Sequence, residues 1–342
     1  MHGDAMAENN QEDQVNAAIN TAILVDRNGT GSSPRIRPRP QYPSFATIGC
    51  HFLDIYLIKQ CLLGALLVQW LAPWYRSSRS FARENDVDDR WYFTAVLCLV
   101  HTGLYLGVNL PYFVRDTYQV HQSLKLFRKP SMQASRNQLS KLALDQVIGQ
   151  LIVSPISAYV AFPILFQPLL LGFDSSDSDG TATGIPSVAG SFLQLLFCLL
   201  ANDTLFYVMH RLLHSKWLYK SIHKQHHEFV GAVSYAAEYA HPLEGLLANQ
   251  LPTVSGLFVW RMHPLCFFIW IGLRLQETYE THSGYRSGSI VFGKDYQVAH
   301  HDFHHSYNQG NFGAFYLDWM FGTMDHYQAM SGYEGYLKLK SS

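Results

Sequence analysis

The residues of this chain best suited to chemistry are histidines, and they fall in three clusters. These are His210 and His214; His223, His226 and His227; and His301, His304 and His305, preceded directly by His300. In one-letter form they read HRLLH, HKQHH and HDFHH. Of the 17 histidines in 342 residues, 13 lie between His210 and His326, a bias that packing alone does not require. Residues three and four apart share one face of a helix, so each cluster can aim two or three imidazoles at one point. Eight convergent ring nitrogens are too many for one ion. A pair of ions with several ligands each accounts for them, and imidazole suits iron, zinc, copper and nickel. An HExxH zinc protease is disfavoured because Arg211 stands where the glutamate is needed. Cys50, Cys61, Cys98, Cys198 and Cys266 show no paired zinc-finger spacing.

The elements that must carry these clusters belong to a membrane protein. The chain is 48% hydrophobic and 15% charged, against about 25% charged for a soluble domain. Four stretches are long and apolar enough to cross a bilayer, which takes about 20 residues: 52 to 75, 91 to 113, 144 to 172 and 186 to 209. Asp54 and Lys59 interrupt the first, and Pro155, Pro163 and Pro168 are expected to kink the third. Residues 114 to 143 hold Arg115, Lys125, Arg128, Lys129, Arg136 and Lys141 against one acid, Asp116, whereas 174 to 185 hold Asp174, Asp177 and Asp179 and no base. Basic loops stay cytoplasmic. The N-terminus, the basic loop and everything after residue 209 are therefore expected in the cytosol, with all three clusters. The final Lys338, Leu339, Lys340, Ser341 and Ser342 resemble a cytosolic endoplasmic-reticulum retrieval signal.

Residues 1 to 45 are polar and rich in Pro, Gly, Ser and Arg, and are expected to form a disordered cytosolic tail. The sequon at Asn28 would go unused there, and no disulfide framework is expected. Residues 46 to 185 then form the transmembrane region and 186 to 342 the catalytic domain. The fold expected is an all-α integral membrane protein of about four transmembrane helices with a cytosolic, histidine-rich helical cap.

The fourth span runs into His210 and His214, and Ser215 to Ile222 leads to a second helix bearing His223, His226 and His227. The apolar stretch 243 to 276 contains Pro252, Ser255, Gly256, Arg261 and Pro264. It must return to the side it left for the third cluster to meet the first two, so a re-entrant helical hairpin is expected. His282 after it is a ninth candidate ligand, and His241 in AEYAHPLE is a tenth, unless its ring pairs with Glu238 or Glu244. His263 and His326 read as structural. Asp203, Glu228, Glu277, Glu280 and Asp302 lie near the clusters, where carboxylates often accept the second N–H of a metal-bound histidine. Trp260, Trp270, Tyr279 and Tyr285 suit either a lipid-facing cavity or anchors at the membrane interface.

The pattern HxxxH, HxxHH, HxxHH on a membrane chain resembles the fatty acid hydroxylase and sterol desaturase superfamily. HRLLH, IHKQHHEF, AEYAHPLE, LRLQET, HSGY, HHDFHH, GNFG and FGT are similar to the sterol C4-methyl oxidases within it. Asn202 and the segment Val230 to Tyr235 depart from that subfamily's pattern. The resemblance implies two iron ions, O2 as co-substrate and oxidation of an unactivated C–H bond, foremost the C4-methyl group of a sterol. It also implies electrons from NAD(P)H through a b-type cytochrome and its reductase, in the endoplasmic-reticulum membrane, with no nucleic-acid partner. Alternatives are a di-iron hydroxylase or desaturase of a fatty acyl, sphingoid or terpenoid lipid, and, more remotely, a membrane metal-binding or transport protein.

Overall fold

A computed structural model describes residues 57–126, 133–168, 184–286 and 295–329, together with Gly332, Gly335 and Tyr336. The tail 1 to 45, most of the acidic 174 to 185 loop and the terminal lysines lie outside the described residues. Among the described residues the chain is helical, with a single isolated bridge between Lys125 and Tyr285 as its only extended pairing.

Four long helices come first: α1 (Leu57–Glu84), α2 (Asp89–Tyr118), α3 (Arg136–Leu165) and α4 (Val188–Leu213). The last three are long and apolar enough to cross a membrane. The first expected span is α1, whose apolar stretch continues into a segment bearing Arg76, Arg79 and Arg83. Local chemistry sets the starts of the others. The Asp88 side chain accepts from Arg90 N–H at the start of α2, Ser135 and Gln138 form a reciprocal capping box on α3, and Ser187 accepts from Gly190 N–H on α4.

Two prolines leave the same trace. Pro155 and Pro252 each lack the N–H that would bond four residues back, and each follows a π-helical segment, Gly149–Val153 in α3 and Gly245–Gln250 before α6. The expected disturbance of the third span is thus a widened turn.

The long helices alternate in direction. Gln60, near the start of α1, donates to Glu277 at 3.3 Å, while Gln69 farther along donates to the Pro186 carbonyl at 2.7 Å, just before α4 begins. Arg90 at the start of α2 reaches the Tyr159 carbonyl late in α3, and Gln138 at the start of α3 reaches the Glu228 carbonyl. The beginnings of α1 and α3 and the ends of α2 and α4 therefore share one end of the bundle, and the histidines are there. Side chains such as Leu99, Leu106, Leu151, Ile164 and Leu200 are exposed on the bundle's outside. Its interior holds Cys61, Ala65, Phe93, Leu195, Cys198 and Phe267. The four described cysteines are free.

After α4 come α5 (Lys216–Ser221), a 3-10 turn (His223–Glu228), the π segment, α6 (Leu251–Val259), α7 (Pro264–Thr281), α8 (Asp295–Tyr307), α9 (Phe315–Met320) and α10 (Asp325–Ala329). Residues 243 to 276 do turn back. Trp270 of α7 donates to the Thr253 carbonyl of α6 at 2.9 Å, and both ends of the excursion lie at the histidine clusters, through Glu244 at one end and His282 at the other. Trp270, Tyr279 and Tyr285 are fully buried, so they pack rather than anchor an interface.

Candidate metal centre

Each cluster is held by a different local device. His210 lies in the last turn of α4 and His214 caps the helix, with its backbone N–H on the His210 carbonyl. The second cluster forms a 3-10 turn rather than the expected helix. Side chains three apart eclipse in such a turn, and the rings of His223 and His226 do stack. His282 closes α7 at its C-cap, just before Gly284 at a φ of 69°, and His301, His304 and His305 lie on α8.

The rings divide into two groups. His210, His214, His223, His227 and His304 bring five ring nitrogens within 4.8 Å of one another, and His226, His282, His301 and His305 bring four. The division cuts across the sequence motifs. In HKQHH the outer pair, His223 and His227, joins the first group and His226 the second. In HDFHH the outer pair, His301 and His305, joins the second group and His304 the first. The groups are adjacent, with the rings of His227 and His305 stacked at 4.7 Å.

The hydrogen bonds outside the groups fix the protons within them. His304 Nδ1–H donates to the Gly310 carbonyl at 2.7 Å, His282 Nδ1–H to Thr278 at 2.7 Å and His226 Nδ1–H to Tyr239 at 3.4 Å. His210 Nδ1–H donates to Phe312. His223 Nδ1–H points at Glu244 Oε1, 2.8 Å away. A neutral imidazole carries one N–H, so the Nε2 atom of each of these rings is a bare lone pair. Yet His210 Nε2 lies 3.1 Å from His223 Nε2, and His282 Nε2 lies 3.5 Å from His226 Nε2. Two lone pairs at that distance repel, and a shared cation removes the conflict. Among the ring pairs in closest contact within the two groups the Nε2 to Nε2 distances run from 2.8 Å, for His301 and His282, to that 3.5 Å. Nitrogens about 2.1 Å from one ion stand about 3.0 Å apart at a right angle and about 3.4 Å apart at a tetrahedral angle. The residues present therefore fit two ions.

Burial acts in the same direction. It lowers the imidazolium pKa of His226 to about 4, and burial followed by the charges of His210 and His226 lowers that of His214 to about 2. Burial and the His226 charge lower His282 to about 3. These rings are neutral near pH 7, the form that binds metal.

Of the ten candidate ligands, nine converge. His241 stands apart: its Nδ1 accepts from Leu243 N–H at 3.2 Å and caps the turn Pro242–Glu244. Its expected acid partners are engaged elsewhere, Glu244 with His223 and Glu238 with His101, Tyr279 and Gln150. His263 has the same capping role on α7, with its Nδ1 accepting from Leu265 N–H, and His326 is exposed.

The flanking acids also divide. Asp203 lies 3.7 Å from Arg274, which donates to Glu277 at 2.6 Å, so the two form a buried polar knot under the site. Asp302 accepts from Ala232 N–H at 3.1 Å and Tyr336 O–H at 2.7 Å, joining α8 to the segment after the second cluster and to the C-terminal residues. Glu228 accepts from Tyr239 O–H. Glu244 is the acid seen on a converging ring, and sequence separation hid it, since it lies 21 residues from His223. The Gly310 and Phe312 carbonyls come from the GNFG segment. Phe312 and Gly313 N–H donate to Asp318, and burial raises the Asp318 pKa to about 6 against those bonds.

Residues 195–323 match the family described as fatty acid hydroxylase. A putative methylsterol monooxygenase of Dictyostelium discoideum is 31% identical over 238 residues, 67% of this chain and 82% of that protein. A very-long-chain aldehyde decarbonylase of Oryza sativa is 32% identical over 248 residues, 69% of this chain and 86% of its own length. Methylsterol monooxygenase 2-2 of Arabidopsis thaliana is 35% identical over 158 residues, 43% of this chain and 58% of its own. No solved structure matches this chain.

Proposed function

Because the chain belongs to the fatty acid hydroxylase family, we propose that it is a membrane-bound oxygenase that hydroxylates an unactivated C–H bond of a lipid, the C4-methyl group of a sterol. The observation that carries this reading is the pair of adjacent all-imidazole groups at one end of a bundle whose outer face is apolar. His210, His214, His223, His227 and His304 hold one iron, and His226, His282, His301 and His305 hold the other. With both ions bound, the site gains the O2 activation that attack on such a bond requires.

The chain's own residues do the rest. The carbonyls of Phe312, Gly310, Thr278 and Tyr239 and the carboxylate of Glu244 hold protons on the outer nitrogens, so that the inner nitrogens face the ions. Burial of most of these rings excludes water. The apolar helices below admit a lipid from the bilayer. Electrons from NAD(P)H arrive through a b-type cytochrome and its reductase as separate partners. The basic residues Arg115, Lys125, Arg136 and Lys141 stand at the histidine end, which supports a cytosolic face. A transport role would place the histidines along a path through the spans, and the nine instead gather at one end.

A second reading, oxidation of another long-chain lipid, is favoured by the aldehyde decarbonylase relative, whose identity equals that of the methylsterol monooxygenase relatives to within a few per cent. Lipid mass spectrometry of cells lacking this chain separates the two. The first expects 4-methylsterols to accumulate, reversed by the wild-type chain and not by His226→Ala. Unchanged sterols with altered long-chain aldehydes would move the assignment to the second.

A further inference from the structure

The two histidine groups rest on different supports. In the four-histidine group, His226 and His282 lean on neutral carbonyls, and His305 Nδ1 has no partner among the described residues. The five-histidine group also has carbonyl supports, at His210 and His304, and an Nδ1 without a partner among the described residues, at His227, and it differs in that His223 leans on the carboxylate of Glu244. His223 is also the hub of that group, because its Nε2 lies 3.1 Å from that of His210, 3.0 Å from that of His214 and 3.1 Å from that of His227. Glu244 is 4% exposed, and its second oxygen, Oε2, has no hydrogen-bond partner among the described residues. A buried carboxylate with one imidazole contact calls for positive charge nearby. An ion held by Nε2 on the far side of His223 would supply that charge.

We infer that Glu244 is a positioning residue that makes the two ion positions unequal, so that the five-histidine group holds its ion more tightly than the four-histidine group. This rests on reading both groups as metal sites. A carboxylate acceptor draws the His223 Nδ1 proton outward and raises the basicity of Nε2, which a neutral carbonyl does more weakly. The group so favoured also has one more donor. Glu244 is placed by the turn Pro242–Glu244, which His241 caps, and that gives the AEYAHPLE segment a role without His241 as a ligand.

The test is graded withdrawal of ferrous iron by a chelator, without oxygen, from the full-length protein loaded with 57Fe, followed by Mössbauer spectroscopy. Two release phases of one ion each are expected, and His282→Ala should remove the weaker. Glu244→Gln, which keeps the volume and loses the charge, should weaken the tighter phase by about 10- to 100-fold and change one of the two iron signals. Glu244→Asp should restore part of the loss. Thermal unfolding of the metal-free protein should not move with Glu244→Gln. Equal weakening of both phases, a lower metal-free unfolding temperature, or an unmoved tighter phase would each overturn the inference. A protein that binds two ions in these phases yet oxidises no lipid would remove the proposed function and leave the inference standing. Lipid oxidation with both ions released in one phase would do the reverse.

Discussion

The helical bundle and the histidine cap answer to opposite demands. In α2, α3 and α4 leucines and isoleucines face outward, and polar groups such as Gln150 turn inward to partners, here Thr102 at 2.8 Å and Glu238 at 3.0 Å. In the cap the interior is a field of imidazoles whose separations must suit an ion to within a few tenths of an ångström. The bundle asks only that its outer surface be apolar and its inner contacts close. Many sequences meet that requirement, whereas few meet that of the cap. Substitutions should therefore be costly in the cap for chemical reasons, and costly in the bundle only where helices touch.

The largest expected effect is in the cap. His304→Ala removes a donor from the five-histidine group and opens its Gly310 anchor. Iron content measured on the purified protein should fall, and lipid oxidation should drop by at least about 100-fold. Retained iron with full activity would break the contrast. Gly310→Ala comes next, because Gly310 has a φ of 63° and an added Cβ would collide with the Thr323 carbonyl. A loss of about 1–3 kcal/mol is expected, read as a lower unfolding temperature together with weaker iron binding. Gly256→Ala probes the bundle, where an added Cβ would strike Cys198 of α4. It should also cost about 1–3 kcal/mol in stability, but leave the iron stoichiometry of the folded fraction unchanged.

Acid sharpens the contrast further. Buried neutral rings have lowered pKa values, so the unfolded chain binds more protons than the folded one below about pH 6.5. Stability and metal binding should therefore fall as pH drops from about 6.5 towards 4, the value of His226. Chelator-free iron loss followed against pH checks this, and a flat profile over that window would contradict it. Smallest is Leu106→Ile on the outward face of α2, expected to change stability by less than about 0.5 kcal/mol.

Much of this was legible in the sequence, and the misses have physical causes. Composition and apolar runs pointed to a helical membrane protein, and the spacing of HRLLH and HDFHH suits the helices that bear them. The hairpin followed from the need to bring the third cluster back. The partition of the rings was hidden, because the face on which His226 or His304 ends depends on turn geometry and on the neighbouring chain. Carbonyl anchors are invisible because every residue has one. His241 misled because a histidine before Pro242 also suits a helix cap, and no spacing rule separates a ring that accepts from a backbone N–H from one that accepts a metal.

The crossing of the adjacent pairs has a mechanical consequence. His226 and His227 belong to different histidine groups, as do His304 and His305, and each pair is joined by one trans peptide whose Cα atoms are about 3.8 Å apart. Two covalent yardsticks therefore span the centre from opposite walls. The gap between the two groups can breathe only as far as side-chain rotations allow, because neither wall can slide without carrying a ring of each group. A single residue inserted within either pair would put the centre out of register in a way that no repacking around it could absorb.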